Sequence, residues 1–229
     1  MRTAERGPGS SSIEDFTARA RIRDAAIDCF AASGFDATVR EIAARAGVSP
    51  GLITHHFGSK DALREECDAE ALRRVFAIKV EGARRSPREQ VAMIAELDDF
   101  GPTFGYILRS VRDGGEAGRA FLRGMIDDAM IYVSEAVESG VLLPSVDPRA
   151  RVELLITQSI GGMIMQLTLD GEVDYSDGAA LIRHISGSTS LVQVELYTQG
   201  LLADRTLLDE YLRQVHTSDP TEQKDRTEQ

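Results

Sequence analysis

Residues 38 to 60, TVREIAARAGVSPGLITHHFGSK, constrain this chain more than any other stretch. Val39, Ile42, Ala43 and Ala46 recur at helical spacing, so Thr38 to Arg45 reads as one amphipathic helix. Gly47 follows where the chain must turn through a left-handed conformation, which glycine adopts without steric cost. Ser49 is a good N-cap. Pro50 suits the first position of a second helix, where an amide hydrogen would have no partner in any case. Leu52 and Ile53 anchor that helix and leave Pro50, Gly51, Thr54 and His55 on or near an outer face. Two short helices joined by a tight turn make a helix-turn-helix, whose second helix fits the DNA major groove. The alternative is an ordinary helical hairpin, and the agreement of start, stop and turn signals favours the helix-turn-helix.

The flanks extend the pattern. Ile22, Ala25, Ala26, Cys29 and Phe30 form one apolar stripe on a preceding helix that ends near Ser33 and Gly34. Ser59 caps a following helix that begins Lys60, Asp61, Ala62, Leu63. The stretch from Arg21 to Leu63, about a fifth of the chain, resembles the DNA-binding domain of the TetR family of transcriptional regulators. The matching residues are Ala26, Phe30, Gly34, Phe35, Thr38, Ile42, Ala43, Ala46, Gly47, Val48, Ser49, Phe57, Lys60 and Leu63, with no gaps. The resemblance implies DNA contacts from Thr38, Arg40, Ser49, Pro50, Gly51, Leu52, Thr54, His55, His56 and Lys60. Arg40 lies where related proteins reach a base, and arginine is the usual reader of guanine. The chain departs from the family at Thr54, where a phosphate-touching tyrosine is usual; threonine donates a hydrogen bond with a shorter reach.

Charge distribution fits binding through one small face. The net charge is −11, but residues 1 to 64 hold 9 Lys+Arg and 8 Asp+Glu, whereas residues 65 to 229 hold 17 and 29. An acidic body disfavours wrapping nucleic acid around itself. The chain is 42% hydrophobic and 28% charged without long like-charge runs, so most of its 229 residues are expected to be ordered. Cys29 and Cys67 fall on apolar helical faces and read as reduced core residues of a cytoplasmic protein. No apolar stretch is read as long enough to span a bilayer, no signal peptide is recognised, and no membrane partner is expected.

Helical periodicity continues throughout, and no alternating strand pattern interrupts it, so the fold is expected to be all-α. Residues 1–15 read as a disordered arm, 16–64 as the DNA-binding domain, 65–216 as a helical regulatory and dimerisation domain, and 217–229 as a disordered tail. The helix from Lys60 runs past Phe76, and Ser86-Pro87 opens another carrying Val91, Ile94 and Leu97. Gly101-Pro102 and Gly114-Gly115 read as breaks around a short apolar segment. Leu122 to Val137 hold a stripe that ends at Gly140. After the cap Asp147 and Pro148, a helix to about Leu169 is apolar nearly all round, which predicts cover on every side. A second long helix spans about Gly178 to Leu202, with small residues around Gly187. These two helices resemble the pair that forms the family's dimer interface, which implies a homodimer.

No catalytic constellation is visible, and neither cofactor nor metal is expected. Adjacent helical residues point about 100° apart, so His55 and His56 do not share a metal easily. Their better reading has His55 facing DNA and His56 near a phosphate. Phe104, Met125, Met130 and Met163 read individually as core and together as an adaptable apolar lining. Gln158, in the most apolar helix, needs a polar partner if buried. The family resemblance implies that these five residues meet a small, apolar effector. The whole reading is a homodimeric repressor of double-stranded operator DNA, released by such an effector. Its alternatives are a regulator of the same fold without an effector, and an enzyme using the central pocket.

Overall fold

The computed structural model describes residues 8–94, 100–169 and 178–217. Among them lie ten helices and no strand, as the periodicity requires. In chain order these are α1 (Pro8–Ser33), α2 (Val39–Ala46), α3 (Pro50–Phe57), α4 (Lys60–Arg84), α5 (Pro87–Ile94), α6 (Gly101–Asp113), α7 (Gly115–Glu138), α8 (Pro148–Leu169), α9 (Gly178–Gln199) and α10 (Thr206–Thr217). The chain divides into two units at Ser186–Gly187, within α9.

Several boundaries differ from the sequence reading. The arm expected over 1–15 is helical from Pro8 onward. A helix whose later turns are packed extends at little cost per residue, so weak helix formers such as Ser10 to Ser12 are carried along. Gly101 and Pro102 open α6 instead of breaking the chain, with the proline in the first turn, where its missing amide is harmless. The segment between them and Gly114 is a full helix of 13 residues. Helix α10 (Thr206–Thr217) lies where no particular helix was assigned and takes in Thr217, the first residue of the expected tail. Leu97 and the tail beyond Thr217 lie outside the described residues.

The first unit is built on one continuous core. Ile22, Ala26 and Phe30 of α1 meet Ile42 and Ala43 of α2, Ile53 and Phe57 of α3, and Leu63, Cys67 and Ala71 of α4. Tyr106 and Ile107 of α6, Phe121 and Met125 of α7, and Ile160 of α8 complete it. Each large apolar side chain buried there contributes on the order of 1.5–3 kcal/mol. Thr103, Tyr106, Leu108 and Ser110 of α6 are fully buried, so this helix is central. A Cβ at Gly118 of α7 would come within 2.8 Å of the Ser110 carbonyl oxygen, so glycine permits the close α6–α7 approach.

The apolar helix α8 is not covered on every side. Val152, Ile160 and Leu167 are its buried residues, while Leu154, Met165 and Leu169 are 56%, 60% and 76% exposed. Sequence periodicity reports how much apolar surface a helix carries, not how much of it the same chain covers. By length and composition alone this helix of 22 residues, with an 18-residue stretch of mean hydropathy 1.3, is long and apolar enough to cross a membrane, contrary to the sequence expectation. In the second unit Leu191, Val192, Val194 and Tyr197 of α9 are likewise exposed.

Candidate nucleic-acid interface

Local backbone chemistry shapes α2 and α3. Thr38 forms a capping box: its hydroxyl accepts from the Glu41 amide at 3.2 Å, and its own amide donates to the Glu41 carboxylate at 2.6 Å. These backbone and side-chain bonds from Thr38 hold the Glu41 carboxyl below its usual range, with a smaller contribution from the Lys60 charge. Gly47 ends α2 at φ 65° and ψ 38°, with its amide on the Ala43 and Ala44 carbonyls. Ser49 then accepts from the Leu52 amide at 3.3 Å, and Pro50 follows in the first turn of α3.

Ile53 and Phe57 bury the inner face of α3. Pro50, Gly51, Thr54 and His55 stand exposed on the other, together with Thr38, Arg40 and Ser49. Leu52 and His56 are half-buried, and Leu52 packs against the core instead of lying open. The Thr54 hydroxyl turns back toward the Pro50 carbonyl at 3.5 Å, which shortens its reach further. Lys60 is the half-buried first residue of α4, next to the Ser59 cap. The His55 and His56 rings have centroids 5.6 Å apart in an edge-on arrangement.

Residues of α1 brace this face, and the sequence reading missed their role. The Arg19 guanidinium donates to the main-chain carbonyl of His56 at 2.8 Å, pairs with Glu66 of α4 and lies 4.6 Å from the centre of the Phe57 ring. Arg45 of α2 pairs with Asp28 of α1 at 2.8 Å. An arginine at a fixed helical position is ordinary in sequence, so only the three-dimensional convergence identifies Arg19.

A second set of contacts ties α1 and α4 to α6. Arg109 donates to the Ala31 and Ala32 carbonyls at 3.1 Å each, satisfying the C-terminal end of α1. The Tyr106 hydroxyl donates to Asp68 at 2.6 Å. Burial pushes the Asp68 carboxyl above its ordinary range against the opposing pull of that bond, and burial pushes the Tyr106 phenol up as well. Arg64 pairs with Asp113 at 2.9 Å and lies 3.5 Å from the centre of the Phe35 ring. Glu70 gathers Arg73, Arg74 and Arg23 at 2.7, 2.8 and 3.3 Å. Bonding to Arg73 leads in holding its carboxyl down at about 2, against burial, with Arg74 and Arg23 adding to it. Arg74 also reaches Asp24 of α1 and donates to Thr103 of α6 at 3.2 Å.

Four of the five residues expected around an effector fall in three apolar clusters, each of which includes a residue of α8. Phe104 is buried in a cluster with Leu108, Leu167 and Ile182, against which Met163 packs. Met125 belongs to the main core, and Met130 packs against a third cluster of Ala129, Val133 and Val152. Ile156 touches the first and third clusters and Ile164 the first and second. Gln158 is exposed, so it does not need the buried polar partner that its apolar neighbours suggest.

Residues 22–67 match the family model for bacterial regulatory proteins of the tetR family, and residues 98–203 match that for the tetracyclin repressor-like C-terminal domain. The chain is 38% identical over 202 residues to the HTH-type transcriptional regulatory protein RaaS of Mycobacterium tuberculosis, covering 88% of this chain and 94% of that protein. A TetR transcriptional regulator from Chloroflexus aurantiacus has the same fold at a TM-score of 0.58 and 19% identity, covering 81% of this chain and 96% of its own. The transcriptional regulator FadR from Bacillus subtilis, solved in complex with stearoyl-CoA, superposes at 0.54 with 19% identity, over 80% of this chain and 99% of its own. With both domain types matched and a relative aligned over nearly its full length, the chain belongs to the TetR family of DNA-binding transcriptional regulators.

Proposed function

We propose that this regulator is a cytoplasmic homodimeric repressor, held on operator DNA by α3 and released when a small apolar molecule enters among α4 to α8. The observation that carries the reading is the double allegiance of α6. Arg109 and Tyr106 attach it to α1 and α4, while Phe104 and Leu108 of the same helix belong to an apolar cluster with α8. A ligand that repacks that cluster shifts a helix on which the DNA-binding end rests. Release then equals the ligand's differential affinity for the two arrangements. The FadR neighbour's complex with stearoyl-CoA supports a ligand with a long apolar body on this fold.

In this reading Arg40 reads a base, Pro50, Gly51, Leu52 and His55 line the groove, and Thr38, Ser49, Thr54, His56 and Lys60 meet phosphates. The uncovered faces of α8 and α9 pair with those of a second copy. Two recognition helices then stand on the order of 34–36 Å apart, one turn of DNA. Fluorescence anisotropy with promoter DNA tests this. Apolar compounds that bind the protein should weaken operator binding by one to two orders of magnitude, for a coupling of about 1–3 kcal/mol. Binding of such compounds with unchanged operator affinity would remove the release mechanism.

A further inference from the structure

Phe35 lies in the turn that joins α1 to the recognition motif. Gly34 follows α1 at φ 79°, and the Ala37 amide closes the turn on the Gly34 carbonyl at 3.2 Å. Thr38, the cap of α2, comes next. A displacement of the Phe35 ring therefore passes to the start of α2 through a closed turn that includes the buried Ala37.

Three helices grip this ring. Its centroid lies 5.2 Å from that of Phe30 on α1 and, edge-on, 5.6 Å from that of Tyr106 on α6. The Arg64 guanidinium of α4 lies 3.5 Å from it, close enough for cation and ring to attract. One carboxylate holds the guanidinium in that place. Its Nη1 pairs with Asp113, the last residue of α6, at 2.9 Å, while Nε and Nη2 are buried without a hydrogen-bond partner among the described residues. Loss of Asp113 would leave a mostly buried charge without its ion pair and draw it toward water, off the ring. Tyr106, Arg109 and Asp113 fall within an arc of about 60° on α6. That one face thus meets Phe35 directly, holds the end of α1 through the Ala31 and Ala32 carbonyls, and fixes Arg64.

We infer that Arg64 and Phe35 are positioning residues for operator binding: the Asp113–Arg64 pair clamps Phe35 and so sets α2, and α3 after it, at the angle that the operator requires. Neither side chain has to touch DNA. This rests on α3 lying against DNA, as proposed above, and supplies the step from α6 to it, because a shift of α6 carries Asp113 along and loosens the clamp.

Anisotropy titrations test the clamp without any effector, on a duplex that the wild-type protein selects from a random library and on a scrambled duplex of equal length. Asp113→Asn removes a negative charge, so electrostatics alone predicts equal or tighter binding to both. The clamp predicts the reverse on the selected duplex, where binding should weaken about tenfold, with the scrambled duplex not weakened. Phe35→Leu should lose as much. The two substitutions together should lose little more than either alone, since they break one contact. Circular dichroism checks folding, and stoichiometric titration refers each affinity to the active fraction, so that partial unfolding is not counted as weak binding. Wild-type affinity of Asp113→Asn for the selected duplex overturns the clamp. So do losses that fall equally on both duplexes, or that add in the double variant. If Asp113→Asn does not fold, the same comparison of duplexes with Phe35→Leu decides. Selection of no duplex by the wild-type protein would overturn the placement of α3 on DNA and the clamp with it.

Discussion

Tyr106 donates its hydroxyl hydrogen to a carboxylate oxygen of Asp68 at 2.6 Å, linking a fully buried phenol on α6 to the middle of α4. Tyr106→Phe leaves that half-buried carboxylate short of a donor and should destabilise the protein by about 1–3 kcal/mol. The pH dependence has a definite sign. The native Asp68 carboxyl titrates above its ordinary 3.8, so the native state binds more protons across that window and stability falls as pH rises through it. Losing the tyrosine bond raises the native value further. Chemical denaturation should therefore find a larger gap between wild type and variant at neutral pH than near pH 3.8.

Glu70 has the opposite sign. Its carboxyl is lowered from 4.5 to about 2, so it contributes stability above 4.5 that is lost as pH falls toward 2. Glu70→Gln should cost about 1.5–3 kcal/mol at neutral pH, because Arg23, Arg73 and Arg74 lose a shared charged acceptor. Acid titration should show wild type and variant converging below about pH 4.5. A gap that stays constant down to pH 2 would mean that Glu70 stabilises by packing alone.

Exposed Arg40 and half-buried Lys60 should separate base reading from phosphate binding. Arg40→Ala is expected to lose about 1–3 kcal/mol on the operator and to relax preference at one position per half-site. Lys60→Ala should weaken all sequences alike and reduce the salt slope by roughly 1. Operator titrations at several salt concentrations distinguish the two. Normal operator binding by Arg40→Ala would place base reading elsewhere.

Leu191 is 83% exposed in the single chain, so an aspartate there meets water unless a second copy covers it. If α8 and α9 pair across an interface of more than about 2,000 Å², Leu191→Asp should shift the protein to monomers in sedimentation equilibrium. A wild-type protein that is itself monomeric at micromolar concentration would end the two-half-site reading.

The legible parts of this molecule were those written in short-range chemistry. Thr38, Gly47, Ser49 and Pro50 fix helix ends within four residues of themselves, so their sequence order carries the geometry. Cover is different. The residues of α8 are apolar wherever they lie, and nothing local tells Ile160, which is buried, from Met165, which is not. The same holds for Gln158, which is exposed in the single chain. Arg19 likewise gains its role from three elements that are distant in sequence.

The two faces of α3 do different work: Ile53 and Phe57 hold the helix in place, while Gly51, Thr54 and His55 stand exposed on the outer side. An eight-residue helix has little persistence of its own, so its order is lent by Arg19 and the inner pair. The outer positions are then free to vary. If these positions meet the operator as proposed, substitutions there rewrite the address at little cost in stability while the machine that delivers it stays the same.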